Sequence, residues 1–204
     1  MKKNYQILLD EELKRINGNR PSLLLHSCCG PCSSYVIEYL ERYFDLTVFY
    51  YNPNIYPKEE YIHRLDVQKQ LLTHFEGVKL LEGDYNNDDF FSFVKGYEDE
   101  PERGKRCYLC YRQRLEKTAR TAKEKGYDYF GTVISVSPYK NADWLYEIGL
   151  MLSDKYGVKF LVSDFKKRGG YQRTIVLSKE YDLYRQDYCG CLYSMQERDK
   201  LITE

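Results

Sequence analysis

The sequence has no hydrophobic run that can cross a bilayer: its longest aliphatic stretch, Leu23–Leu25, falls far short of the roughly 20 apolar residues a spanning helix needs. It has no apolar leader either, since the opening MKKNYQILLDEELKRI sets acids where a signal peptide keeps an unbroken apolar core. No sign of charge is in excess: Lys+Arg and Asp+Glu each total 31, which excludes a global field that would gather nucleic acid. Internal repeats, low-complexity tracts and Gly/Ser/Pro linkers are absent. These absences point to an unexported, cytoplasmic protein with no membrane partner, organised as one domain over residues 1–204. A chain of 204 residues, 43% of them hydrophobic, can bury roughly 70% of its unfolded surface and needs no disulfide staples.

What the chain does have is cysteine. Seven occur in three groups: Cys28, Cys29 and Cys32 in S-C-C-G-P-C-S-S, Cys107 and Cys110 in C-Y-L-C, and Cys189 and Cys191 in C-G-C. An odd number in a reducing compartment argues for metal or redox chemistry rather than a disulfide framework. The C-x-x-C spacing sets two sulfurs on one side of a turn, which suits one zinc ion or two irons of a cluster. Four thiolates saturate a zinc ion or a single [4Fe–4S] cluster, and three cysteines are then left over. Adjacent side chains tend to point apart, so Cys28 and Cys29 are expected to divide between two metal centres lying side by side, and Cys189 and Cys191 likewise. The competing reading is a zinc site of four cysteines that ties the carboxyl-terminal tail to the body.

The hydrophobic pattern places these groups on an α/β fold. A short amphipathic helix over 4–16 precedes a buried strand at Ser22–His26, a helix over 33–43, a strand at Leu46–Tyr50, a helix over 58–74 and a short strand at Val78–Leu81. After a less regular stretch come a helix over 109–125 ending near Gly126, a strand at Tyr129–Ile134, a helix over 141–155 and a strand at Lys159–Val162. Such alternation predicts a mostly parallel sheet with helices on both faces, whose ligands sit beyond the carboxyl ends of the strands. The first cysteine group follows the first strand directly, with Ser33 or Ser34 expected to cap the next helix. Thiols at a helix amino terminus have lowered pKa values and are ready to ligate metal.

The runs LLLHSCCGPCSSYVIEYL, FYYNPNIYPKEEY, RCYLCYRQRLEKTA, SVSPYKN and LYRQDYCGCLYS together resemble the cobalamin-independent epoxyqueuosine reductase family, QueH, from Leu23 to Ser194. The resemblance implies the last step of queuosine biosynthesis, in which the epoxide of epoxyqueuosine in a tRNA wobble position is reduced to a cyclopentene. It also implies a [4Fe–4S] cluster beside a mononuclear iron. Carried over by position, Cys28, Cys29, Cys32, Cys107, Cys110, Cys189 and Cys191 are the metal-binding residues, and all but Cys32 are candidates for the cluster itself. A second, fainter resemblance is to the Rossmann-like ATP pyrophosphatases, the PP-loop proteins, with S-C-C-G-P-C-S-S standing where their phosphate loop would be. Alternative readings are an ATP-dependent iron–sulfur tRNA thiolase and a structural zinc module that binds RNA.

An epoxide deoxygenation takes two electrons and two protons, with an iron to accept the oxygen as a Lewis acid and a cluster to pass single electrons. No cobalamin, flavin or NAD is expected, and no flavin or nicotinamide fingerprint occurs, so an external low-potential electron donor is required. N-P-N-I-Y-P at 52–57 and S-P-Y-K-N at 137–141 lie just past expected strands. Asn52, Asn54 and Lys140 are candidates to hold hydroxyls or phosphate, and Tyr56 or Tyr139 to stack on a base or donate a proton, although Asn and Pro also build turns and most tyrosines pack. His26 reads as a core histidine or a ligand, and His63 and His74 have no assigned role. Residues 82–101 carry seven acids and one lysine, whereas 102–125 carry nine bases and three acids. Arg103, Lys105, Arg106, Arg112 and Arg114, with Lys166, Lys167, Arg168 and Arg173, are therefore candidates for the tRNA backbone.

Overall fold

The computed structural model describes residues 4–16 and 18–203. The run S-L-L-L-H-S forms strand β1 (Ser22–Ser27), and both of its faces are covered because Leu23 and Leu25 point one way and Leu24 the other. All three leucines are fully buried, each contributing roughly 1.5–3 kcal/mol. Strands β2 (Asp45–Tyr50), β3 (Lys79–Glu82), β4 (Tyr129–Thr132) and β5 (Lys159–Phe160) complete one all-parallel sheet in the order β3-β2-β1-β4-β5. Register sets His26 opposite Phe49 on β2 and Thr132 on β4.

Helices cover both faces. On one lie α1 (Tyr5–Ile16), α2 (Gly30–Leu40) and α3 (Lys58–Leu72), packing Leu13, Ile37 and Leu71 against Leu23, Leu25 and Val48. On the other, α5 (Lys105–Lys125) and α6 (Ala142–Tyr156) bury Leu115, Ala119 and Ile148 over Leu24, Phe130 and Phe160. The chain leaves β1 toward β2 on one side of the sheet and crosses to β4 on the other. A topological switch point therefore lies between β1 and β4, and the loops after both strands open there.

The expected order of elements holds, and its borders move. Helix α2 starts at Gly30 rather than 33, because Cys29 takes the extended backbone of the residue before the helix, and neither Ser33 nor Ser34 caps it. Helix α5 starts at Lys105, one turn earlier than expected, so Cys107 and Cys110 lie inside its first two turns. It ends as expected at Gly126, which takes the left-handed backbone that closes a helix (φ 75°). The strand expected to reach Ile134 stops at Thr132, where the chain enters a 3-10 turn at Ile134–Val136. Three helices were not expected: α4 (Asn87–Phe93), α7 (Gly170–Glu180) and α8 (Leu192–Thr203). Helix α7 buries Gly170, Thr174, Leu177 and Ser178 against α2, a small and largely polar face that leaves no apolar periodicity to read.

Close packing of α6 on β5 depends on a missing side chain. A Cβ at Gly149 would lie 2.2 Å from the buried Phe160 ring. Gly149→Ala should therefore destabilise the protein by about 1–3 kcal/mol in urea unfolding; wild-type stability would show that α6 can move off β5 freely.

Candidate metal centre and substrate cleft

Just past β1 the chain turns through Cys28 and Cys29 into α2, and Cys32 follows in the first turn of that helix. The three Sγ atoms lie within 4.8 Å of one another. This corrects the expectation that Cys28 and Cys29 point apart. Cys29, with φ −169° and ψ 153°, is extended while the next residue is already helical, and this sharp change of direction folds the vicinal thiols and Cys32 into one pocket. A buried hydroxyl network braces the turn: Ser27 Oγ lies 2.6 Å from Ser33 Oγ and from Gln68 Oε1, and Ser33 donates to the Cys29 carbonyl at 2.8 Å. Hydrogen bonds from Cys28 and Cys32 hold the Cys29 thiol well below its ordinary value, while the contact with Cys29 pushes Cys28 up to about 12, and contacts with Cys28 and Cys29 raise Cys32. A cation bound among the three sulfurs would displace their protons.

The other four cysteines face each other from α5 and the carboxyl-terminal segment. Burial raises Cys107, Cys110 (to about 12) and Cys191, with their mutual repulsion and that of Cys189 adding to it. Arg103, in the left-handed backbone region (φ 72°) at a cost of about 1 kcal/mol, turns its N–H onto Cys107 Sγ at 3.3 Å. The Ser194 N–H at the start of α8 reaches Cys191 Sγ at 3.4 Å, where a helix amino terminus favours negative charge. Gly190 takes φ 127°, and a Cβ there would meet the Arg64 guanidinium at 2.9 Å, so the C-G-C turn requires glycine.

Between the two sets opens a cleft of about 460 Å³, lined by Cys28, Cys32 and Cys189, by Glu102, Tyr139 and Lys140, and by the 185–188 segment. Lys140 Nζ lies 2.9 Å from Cys189 Sγ and 3.0 Å from Glu102 Oε1. Burial opposes its charge, but Cys189, Tyr111 and Glu102 outweigh burial and hold the ammonium protonated. The same balance applies to Arg114, whose buried guanidinium is held charged by Cys110, Cys28 and Cys189.

Comparison with known proteins adds the decisive observation: the family described as Epoxyqueuosine reductase QueH matches residues 23–197. The chain belongs to the QueH family. It is 43% identical to the Epoxyqueuosine reductase QueH of Staphylococcus epidermidis, over 96% of this chain and 88% of the relative. It is 45% identical to the protein of the same name from Streptococcus pyogenes, over 86% and 71%, and 38% identical to that from Thermotoga maritima, over 90% and 95%.

Within this QueH chain the sequence-derived candidates separate. Tyr139 and Lys140 line the cleft, whereas Tyr56 does not: its ring packs edge-on to Phe91 and its carbonyl accepts the Tyr188 hydroxyl. Asn52 and Asn54 are buried, Asn52 donating to the Ser27 carbonyl at 2.8 Å, and the side-chain oxygen of each has no hydrogen-bond partner among the described residues. Arg114, at 3% exposure, is buried in the wall of the cleft rather than on an outer face. Arg106, at 2% exposure, is likewise internal, donating to the Glu98 and Glu100 carbonyls. Lys166, Arg168 and Arg173 are ion-paired with Asp164, Asp10 and Glu38. Arg103, Lys105, Arg112 and Lys167 are exposed. Glu102, Gln186 and Tyr188 also line the cleft and are absent from the sequence-derived candidates, although their proximity to R-C-Y-L-C and C-G-C was a usable signal. Among the described residues, no helix is long and apolar enough to cross a membrane.

His26 is a core histidine. Its Nε2 lies 3.1 Å from the Tyr51 carbonyl, so that nitrogen carries the proton, and Nδ1 accepts from Thr132 Oγ1 at 3.0 Å. Burial, with the nearby Arg114 charge, pushes the imidazole down to about 3. Because the folded value lies below the unfolded one, its contribution is complete above about pH 6.5 and is lost as pH falls toward 3. Between about pH 6 and pH 4, wild-type stability should fall roughly 1.4 kcal/mol per pH unit more steeply than that of His26→Gln. Equal slopes in urea unfolding would show that the folded protein admits the proton.

Proposed function

We propose that this chain reduces the epoxide of epoxyqueuosine in tRNA to the cyclopentene of queuosine. The observation that carries the reading is the set of three thiols, Cys28, Cys29 and Cys32, within 4.8 Å of one another at a cleft that Cys28, Cys32 and Cys189 line, in a member of the QueH family. The reaction consumes two electrons and two protons and releases the epoxide oxygen as water. Electrons come from an external low-potential donor.

The donor sets fit two centres. Cys28, Cys29 and Cys32, with their sulfurs within 4.8 Å of one another, would hold a single mononuclear iron. Cys107, Cys110, Cys189 and Cys191, more widely spread, suit a [4Fe–4S] cluster, which takes one thiolate per iron. When bound, these groups supply Lewis acidity for the departing oxygen and a path for single electrons. The chain's own residues do the rest. Arg114 sits between the two sets and offsets their negative charge. Lys140 holds a proton at Nζ on the cleft wall, oriented by Glu102. Tyr188 and Gln186 enclose the substrate and limit water.

Anaerobically reconstituted protein should contain iron and acid-labile sulfide, and with a low-potential reductant it should remove one oxygen from epoxyqueuosine in tRNA, read by mass spectrometry of the digested RNA. Stoichiometric zinc without sulfide would replace this reading with a zinc RNA-binding module.

The partition makes a second prediction. Serine in place of Cys107, Cys110, Cys189 or Cys191 should bleach the broad visible absorption, since a hydroxyl is a harder and poorer ligand for iron. Serine at Cys28, Cys29 or Cys32 should keep that absorption, lose about one iron per chain and abolish deoxygenation. Bleaching by all seven substitutions alike would refute the three-plus-four arrangement.

A further inference from the structure

Beside the substrate cleft lies a second cavity, of about 590 Å³, that the reaction described above does not use. The two share one wall, formed by Arg103, Tyr139 and Lys140. Trp144, at the start of α6, and Lys167 line the second cavity alone.

The aromatic side chains there are held in place before any ligand arrives. Tyr139 is 56% exposed, and the Arg103 guanidinium lies 5.2 Å from its ring centroid. Trp144 is half-buried and set edge-on to Tyr108, with centroids 5.5 Å apart. Positive charge there is unspent: Arg103 and Lys167 are exposed and form no ion pair among the described residues, unlike Lys166, which Asp164 neutralises. The acids of the wall are committed, Asp164 to Lys166 and Asp143 to the Tyr5 hydroxyl at 2.6 Å. An exposed aromatic ring with the Arg103 guanidinium over it and the Lys167 ammonium lining the same cavity, which is of nucleotide size, suits a base and its phosphate.

We propose that this cavity takes the nucleotide next to the modified one in the RNA chain, with its base on Tyr139 and its phosphate toward Arg103 and Lys167. The inference rests on the epoxyqueuosine reading. A modified base inserted in the metal cleft leaves its neighbour one backbone step away, and the second cavity adjoins the cleft across the wall of Arg103, Tyr139 and Lys140. Recognition of the substrate then extends beyond the base that reacts.

The test uses the full chain, reconstituted anaerobically, with fluorescently labelled anticodon stem–loop RNAs carrying epoxyqueuosine; binding is read by anisotropy and deoxygenation by mass spectrometry. Replacing the base on one side of the modified nucleotide by an abasic residue should weaken binding about tenfold, the loss expected for one stacked base. Tyr139→Ala should cost about as much on the intact RNA and nothing further on that abasic RNA. Lys167→Ala should weaken both and lower the salt slope by about one. If the wild-type protein binds and deoxygenates the RNA but tolerates an abasic residue on either side, the inference is overturned and the reductase reading stands. If it retains iron and sulfide yet neither binds nor deoxygenates the intact RNA, the reductase reading falls and the inference with it.

Discussion

The structure depends on one buried guanidinium. Arg64, on α3, is 1% exposed; its Nε donates to Glu60 at 2.6 Å, and its two terminal nitrogens donate to the Cys189 carbonyl at 3.2 Å and the Tyr188 carbonyl at 3.4 Å. Its charge also lies 5.1 Å from the Tyr188 ring centroid. Burying such a charge costs several kcal/mol unless every donor finds a partner, so the carboxyl-terminal segment is held against α3 in one arrangement. Through that clamp the C-G-C turn reaches Cys107 and Cys110, and residues 185–189 close the cleft over Cys28 and Cys32. The Tyr56 N–H adds a bond to the Gly190 carbonyl at 2.8 Å, tying the loop after β2 to the same turn.

A second constraint follows from the first. Seven thiols gathered at the carboxyl ends of the strands concentrate negative charge wherever they ionise, and the protein answers with buried cations rather than with solvent. Arg114 lies among Cys28, Cys110 and Cys189, and Lys140 meets Cys189 from the loop after β4. Arg114 comes from a segment that reads as a basic surface by composition, whereas Lys140 comes from the S-P-Y-K-N loop already singled out as a candidate contact. The acids of 82–101 fall elsewhere: Asp88, Asp89, Glu98 and Asp99 are exposed around α4, while Glu102 enters the cleft wall. The electrostatic field is therefore more positive on the Arg103 and Lys167 side than on the α4 side.

The strand–helix alternation was legible because each piece carries a local signal, as in the L-L-L run of β1 and the Gly126 stop of α5. Helix α7 was not legible, since Thr174, Ser178 and Gly170 bury a face without apolar periodicity. Arg106 and Arg114 misled for the opposite reason: an arginine on an amphipathic helix reads as solvent-facing until a tertiary partner takes its charge.

The sequence by itself determined that three thiol groups exist, that the first follows the first strand, and, through the spread of its motifs, which family the chain belongs to. Only the tertiary structure decided which thiols meet. Cys28 and Cys29 converge because the backbone changes direction between an extended residue and a helix, and spacing along the chain does not encode that turn. Cys189 comes to Cys107 and Lys140 through a clamp between α3 and the tail, and contacts between segments so far apart along the chain leave no periodic mark in either.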